Sequence, residues 1–307
     1  MIITGAQVEA ADAAARDAAA GSGVEIRELA ELPDLAAACA LFDEIWEPGP
    51  AGSALHAELL RALTKAGSYA SGAYDTATGD LIGACAGFFG PPAEASLHSH
   101  IAGVRPQALR RAVGFALKVH QRAWCLRRGV RTVHWTFDPL IRRNAYFNLV
   151  KLGARPAEYL PNFYGAMNDS INRSVETDRM LVRWDLLSDR AVAACAGRPG
   201  PASAAAELVR GAVVALGSGA DGWPLAGRSI PFEMPAAGSS PPAAAARTVL
   251  VAVPPDIEGM RRTDPRCAAA WRTALREALA PLLERGATVP GFDRDGWYVI
   301  SLDQWEV

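Results

Sequence analysis

The chain has 307 residues, half of them hydrophobic and 21% charged, with a formal net charge of −2. That balance excludes a polybasic nucleic-acid or anionic-membrane binder, and no run reaches the about 20 apolar residues of a membrane helix. Five dispersed cysteines without a CxxC pair argue against a disulfide framework or a zinc knuckle, so no metal is expected and reduced thiols in a cytoplasm are.

Residues 1–22 are rich in Ala, Asp and Gly, lack a signal-peptide pattern, and read as a frayed helix or tail. Alternation over Val24–Leu29 predicts a first strand. Pro33–Trp46 reads as a helix with Leu35, Cys39, Leu41, Phe42 and Ile45 on one face, and Ser53 as the cap of a second helix ending near Ala66. Tyr69–Tyr74, Leu81–Phe89 and Ala95–Val104 form an antiparallel meander whose first turn is Thr76–Gly79. A helix over Gln107–Gly129, a strand over Thr132–Asp138 and a short helix closing at Ala154 give a strand–helix–strand crossover, hence a parallel pair. A strand over Arg155–Tyr159 is followed by a long polar loop, Asn162–Asp178, and a last strand over Met180–Asp185. Residues 188–206, rich in Ala, Gly, Pro and Ser, read as a linker. Beyond it, Val209–Leu216, Thr248–Val253, Ala287–Val289 and Trp297–Ile300 read as strands, Pro265–Arg285 as a helix, and Pro235–Ala246 as a loop. The division expected is thus a tail (1–22), a first domain (23–187), the linker and a smaller C-terminal α/β domain (207–307).

The stretch 98–154 resembles the acyl-CoA-binding half of the GNAT acyltransferase superfamily. Val104-Arg-Pro106 matches the strand end, Leu109 to Gly114 the turn, and Asn144 and Lys151-Leu-Gly-Ala154 the second half. Trp135 to Pro139, Asn144 to Asn148 and Tyr159 to Gly165 look like a branch of predicted GNAT proteins that carries an extra C-terminal region. The resemblance implies a mixed, mostly antiparallel twisted sheet flanked by helices, with the C-terminal part as a second unit, whose order of strand, helix, strand, strand is that of a degenerate copy of a GNAT half. It implies acetyl-CoA or another acyl-CoA as co-substrate, held by Val104, Arg110, Arg111, Ala112, Val113, Gly114 and Asn144. Three departures stand out. Leu109 occupies the place of the turn's Gln or Arg, Ala112 that of its first Gly, and Leu149 that of a Tyr acid.

The residues themselves suggest chemistry. His98 and His100 alternate on one strand and so share a face, where an imidazole suits a general base near neutral pH; the plainer reading is two buried, satisfied histidines. His134, Thr136 and Asp138 share a face of the next strand, with Asp138 read as a helix cap. Arg110 and Arg111 are either phosphate partners or a solvated helix start. Asn144 is equally an ordinary polar helix face. Tyr164, ahead of Tyr146 and Tyr159, is the candidate replacement acid; Tyr159, Asn162 and His134 are candidates for an acceptor site. The function expected is acyl transfer to an amine or hydroxyl of a small molecule. The alternatives are a non-catalytic acyl-CoA- or partner-binding module and a different thioester reaction such as decarboxylation.

Overall fold

The computed structural model of the chain describes residues 3–47, 52–53, 55–91, 95–165, 176–200, 202–227 and 247–303. The chain opens on a helix, α1 (Gly5–Gly21), and not on a tail. Thr4 and Gln7 close a reciprocal capping box on its first turn. The next elements are β1 (Val24–Glu28), α2 (Leu32–Trp46), α3 (Ala57–Lys65), β2 (Tyr69–Asp75), β3 (Leu81–Phe89) and β4 (Ser96–Val104). Ser53 does not cap α3, because its hydroxyl donates to Asp43 at 2.7 Å and His56 takes the cap position. A short 3₁₀ turn (Pro106–Ala108) leads to α4 (Val113–Arg127), then β5 (Thr132–Phe137). The predicted helix over Gln107–Gly129 therefore loses its first turn and a half to a loop. α5 (Arg142–Tyr146) runs on into a π-turn (Phe147–Lys151), and β6 (Arg155–Leu160) and β7 (Arg179–Asp185) follow.

These strands form one mixed sheet in the order β1-β2-β3-β4-β5-β7-β6. β1 to β4 are antiparallel neighbours, and β4 pairs with β5 in parallel. This is the mixed, helix-flanked sheet implied by the GNAT resemblance. On one face, Leu35, Leu41 and Phe42 of α2 and Leu60 of α3 pack on Ala70, Ala84 and Ala86. Small strand residues let the helix approach closely; a Cβ on Gly103 would meet Ile45 at 2.7 Å and Trp46 at 2.8 Å. On the other face lies α4, buried on most of its surface because α1 covers its outer side. Ala11 and Ala15 of α1 are buried there, and a side chain without length permits that contact.

The presumed linker at 188–206 contains two capped helices, α6 (Asp189–Cys195) and α7 (Ala204–Val209). Ser188 and Ser203 accept from the N–H groups of Ala191 and Ala206. Alanine is the best helix former and serine a strong N-cap, so composition there means helix. The predicted strand at Val209 accordingly begins later, as β8 (Val213–Ser218). It joins β9 (Pro224–Ala226), β10 (Thr248–Ala252), β11 (Thr288–Asp293) and β12 (Trp297–Ser301) in a second sheet, order β11-β12-β10-β8-β9. β8 and β10 are parallel, but among the described residues their link holds β9 and no helix, unlike the helical crossover between β4 and β5. α8 (Ile257–Thr263) and α9 (Pro265–Glu284) come from the same region. The predicted loop Pro235–Ala246 lies outside the described residues, as do residues 166–175 of the polar loop.

The chain forms two compact units, and one of the crossings between them, at Arg198/Pro199, falls inside 188–206. One holds residues 1–135 and 183–198; the other holds 136–167, 175–182 and 199–307. In the second unit α9 packs on β6 and β10. Asp138 is buried there and is bound by Arg272 at 2.8 and 2.7 Å and by Arg261 at 2.5 Å. It also accepts the N–H of Leu140 at 3.0 Å. Burial alone would raise its pKa, but the two guanidinium groups outweigh that and hold the carboxyl well below the usual range. Asp138 does not cap α5, whose N-cap is Ile141 without a side-chain bond; it closes the turn at Leu140 and anchors α8 and α9 instead. Asp138→Asn leaves two buried arginines without their counter-charge. It should cost about 3–5 kcal/mol in chemical denaturation; a loss within 1 kcal/mol would show that the cluster does not hold this unit together.

Candidate functional site

The site starts from a single extra residue. β3 pairs Gly87 with Ser99 and Ala86 with Ile101, so His100 bulges out of the ladder. Gly87 belongs opposite the bulge, because a Cβ there would come within 2.6 Å of the His98 carbonyl oxygen. The bulge also changes the faces. Ser99 reaches Lys118 on α4, whereas Gly103 faces Ile45 and Trp46 on α2. The β4–β5 ladder pairs Ser96 with Thr132, Leu97 with Val133 and His98 with His134, and goes no further. β4 continues through Ser99 to Val104 and β5 through Trp135 to Phe137, so the two parallel strands form a fork that opens beyond His98 and His134.

His98, His100 and His134 lie at the closed end of that fork. The His98 and His100 rings are 6.1 Å apart, with the Phe88 ring 5.1 and 5.6 Å from them. Burial first, then the charges of His100, His134 and Lys118, push His98 down to about 4. Burial lowers His100 as well. Both imidazoles are therefore neutral near pH 7, the form that accepts a proton. His100 is exposed and His98 half-buried. The shared face expected from alternation is present.

The turn before α4 is built from left-handed residues. Arg110 has φ 72° and Ala112 φ 61°, a conformation that costs a non-glycine residue about 1–2 kcal/mol and is concentrated at functional sites. The helix that follows starts with N–H groups that have no helical partner, a ready anion site. Val104 and Gly114 are adjacent: a Cβ on Gly114 would lie 3.7 Å from a Val104 methyl and near no other described atom. Internal packing does not demand that glycine. Arg110 makes no ion pair among the described residues. Arg111 is different from the expectation. It donates to Asp75 at 2.5 Å and to the carbonyls of Ser22 and Gly23 at 3.3 and 3.2 Å, which ties the turn to β2 and the α1–β1 junction. Its guanidinium is committed to the fold.

In the second unit the three candidates separate. Tyr159 is buried and donates to Asp178 at 2.7 Å. Burial and that carboxylate raise its pKa, so the phenol stays protonated. Asn162 gives its backbone N–H to Asp178 at 3.0 Å, and its side-chain oxygen accepts from Thr177 at 3.2 Å. Arg276 completes the cluster with bonds of 2.9 and 2.6 Å to the same carboxylate. Tyr159 is buried and committed to Asp178, unlike its reading as an acceptor ligand, whereas Asn162 helps to anchor the loop through its backbone and side-chain oxygen and stays exposed. Tyr164 stays exposed, its hydroxyl 3.2 Å from the Thr136 hydroxyl and Arg179 over its ring. Asn144 is half-buried on α5, and Leu149 is fully buried in the π-turn. Lys118, Ser99, Gln121 and Trp135 gather behind the fork. Sequence reasoning missed that cluster; its one signal was a lysine set among Ala116, Leu117 and Val119.

No protein-family model and no curated protein matches the chain. Solved structures do. A Desulfovibrio desulfuricans protein assigned to the acetyltransferases of the GNAT family is 14% identical over 53% of this chain and 99% of its own, with a TM-score of 0.41. The ribosomal-protein-S18-alanine N-acetyltransferase of Escherichia coli is 16% identical over 53% of this chain and 94% of its own, TM-score 0.43. YncA of Salmonella typhimurium, solved with acetyl-CoA, is 13% identical over 55% of this chain and 96% of its own, TM-score 0.44. Each of these three is described as an acetyltransferase or assigned to that activity.

Because His98 is held near 4 when folded and titrates near 6.5 when unfolded, the unfolded chain binds more protons between those values. Stability is complete above about pH 6.5 and falls as pH drops toward 4. Denaturation of His98→Gln should show a shallower loss over that window than the wild type, with His120, also held near 4, retaining part of the slope. Parallel curves would mean that His98 is not desolvated.

Proposed function

We propose that the protein is a GNAT-like acyltransferase that moves an acyl group from acetyl-CoA or another acyl-CoA to an amine or hydroxyl of a small molecule by direct attack. The observation that carries this reading is the fork. Two parallel strands part beside a bulge, and a strained turn with an exposed helix N-terminus stands at the open end near Val104 and Gly114. A thioester arm fits between strands whose inner N–H groups are not used by a ladder, and its phosphates suit the turn and Arg110.

The atoms balance without a further reactant. His98 or His100, neutral at pH 7, takes the proton of the attacking amine or hydroxyl. The new bond forms to the carbonyl carbon while strand N–H groups stabilise the oxygen. The carbon–sulfur bond then breaks, and the thiolate takes a proton for which the exposed Tyr164 hydroxyl is the candidate source. A second reading, a non-catalytic acyl-CoA-binding module, is favoured by Leu149, which is apolar and buried where the family keeps an acid.

Two measurements separate the readings. Calorimetry with acetyl-CoA should show binding to the wild type and at least a tenfold loss in Gly114→Asp, which sets a carboxylate beside the phosphates; equal affinity would remove the turn as the donor site. A mass-spectrometric screen of amines and alcohols should then detect an acylated product. Tyr164→Phe should lower kcat by about 10²-fold with donor affinity kept, while full activity would return the acid role to solvent or a histidine. Binding without any product would favour the module.

A further inference from the structure

α4 carries a lysine where the fold should want a leucine. Lys118 is 4% exposed, and among the described residues no carboxylate pairs with it. Its ammonium donates to Ser99 at 2.9 Å and to Gln121 at 2.8 Å, and it sits 3.9 Å from the centre of the Trp135 ring, with the Trp184 ring at 5.8 Å. Gln121 in turn donates to Cys85 at 3.5 Å, and Cys85 and Ser99 are 3.8 Å apart. The partners mark a particular place. Ser99 follows His98, the last ladder residue of β4, and Trp135 follows His134, the last of β5. One side chain from the helix therefore touches the first residue of each strand after they part.

A buried ammonium without a counter-ion costs free energy, and an apolar residue of the same size would fill the space more favourably. Burial accordingly pulls Lys118 down to about 8, still charged in the greater part at pH 7. Two hydrogen bonds and a desolvated cation–π contact offset part of the cost. A chain that retains this arrangement at the junction of two strands is spending stability on a charge.

We propose that Lys118 is a positioning residue of the thioester site: its ammonium fixes the width of the β4–β5 fork through Ser99 and Trp135, and it places a buried positive charge behind the closed end, where the carbonyl oxygen of an acyl thioester gains negative charge during attack. The inference rests on the acyl-transfer reading. The charge acts through the strand and not by touching substrate. In a low-dielectric setting a fixed charge behind the N–H groups of the bulge strengthens their pull on the oxygen and needs no rearrangement. The same charge helps to keep His98 unprotonated. The titratable groups around Lys118 are Cys85 from β3, Cys125 from α4 and His98 from β4; those around His98 are His100, His134 from β5 and Lys118.

Lys118→Met tests this in the full chain with three readouts. Thermal and chemical denaturation should give a folded protein whose advantage over wild type is largest below pH 8 and shrinks toward pH 10.5, because the unfolded lysine binds a proton that the folded one sheds between those values. Acetyl-CoA affinity should stay within about threefold and kcat fall at least tenfold, the pattern of an interaction made mainly in the transition state. Histidine NMR titration of the free protein should show His98 moved upward by about half a unit or more. A variant with wild-type kcat, or with an unchanged His98 titration, overturns the proposal. If the wild type itself transfers nothing, the acyl-transfer reading fails alone, and the His98 titration still decides whether the charge sits behind the fork. Should Lys118→Met fail to fold, Ser99→Ala keeps the ammonium and cuts its tether to β4. A lower kcat at unchanged donor affinity supports the assignment, and wild-type kcat overturns it.

Discussion

The first unit depends on one bulged residue. With His100 outside the ladder, β4 presents Ser99 to α4 before the bulge and Gly103 to α2 after it. A regular strand would keep the same parity throughout and send one of those residues to the wrong side. The bulge also increases the local twist, and the ladder with β5 ends two residues before it, at His98. Strand separation, the histidine face and the buried lysine thus share one cause. Helix packing supports the arrangement from both sides: α2 and α3 rest on small strand residues, and α4 is sealed by the alanine face of α1.

The second unit is organised by charge. Asp138 and Asp178 are both buried acceptors, the first for Arg261 and Arg272 and the second for Arg276, Tyr159 and the Asn162 backbone. Such clusters specify geometry more than they add stability, since the desolvation of each ion nearly cancels its attraction. They account for a compact unit that combines β6 and the residues around it with the C-terminal helices. A loop with many polar groups needs partners, and here the chain supplies them from residues 176–178. Tyr159 is taken up in this way and buried, while Asn162 stays exposed. Tyr164 is exposed, with its hydroxyl 3.2 Å from that of Thr136 and Arg179 over its ring.

The turn before α4 shows a related trade. Leu109 and Ala112 depart from the residues that the family resemblance leads one to expect, yet Ala112 still adopts the left-handed conformation that a glycine would take without cost. Arg111, the more obvious phosphate partner by position, is used to bind the turn to Asp75 and the α1–β1 junction. What stays available is the backbone of the turn and Arg110.

The order of strands and helices from β1 to β7, the parallel crossover, the position of the turn and the shared face of His98 and His100 were all legible in the residues. Each rests on local periodicity, on Pro and Gly punctuation, or on neighbours in the chain. Composition was ambiguous where one residue type has two uses: the segments at 1–22 and 188–206 hold capped helices, because alanine serves helix and linker alike and only a packing face or a cap decides, while a crossing between units still falls at Arg198/Pro199. Tertiary structure alone determined the rest. The bulge at His100 depends on pairing with β3, the engagement of Arg111 on an aspartate in β2, and that of Tyr159 on one in a later loop. Lys118 reads in sequence as one polar residue on a helix. Its meaning arises where β4, β5 and α4 meet, since a buried charge is defined by the groups that surround it and these come from segments far apart in the chain.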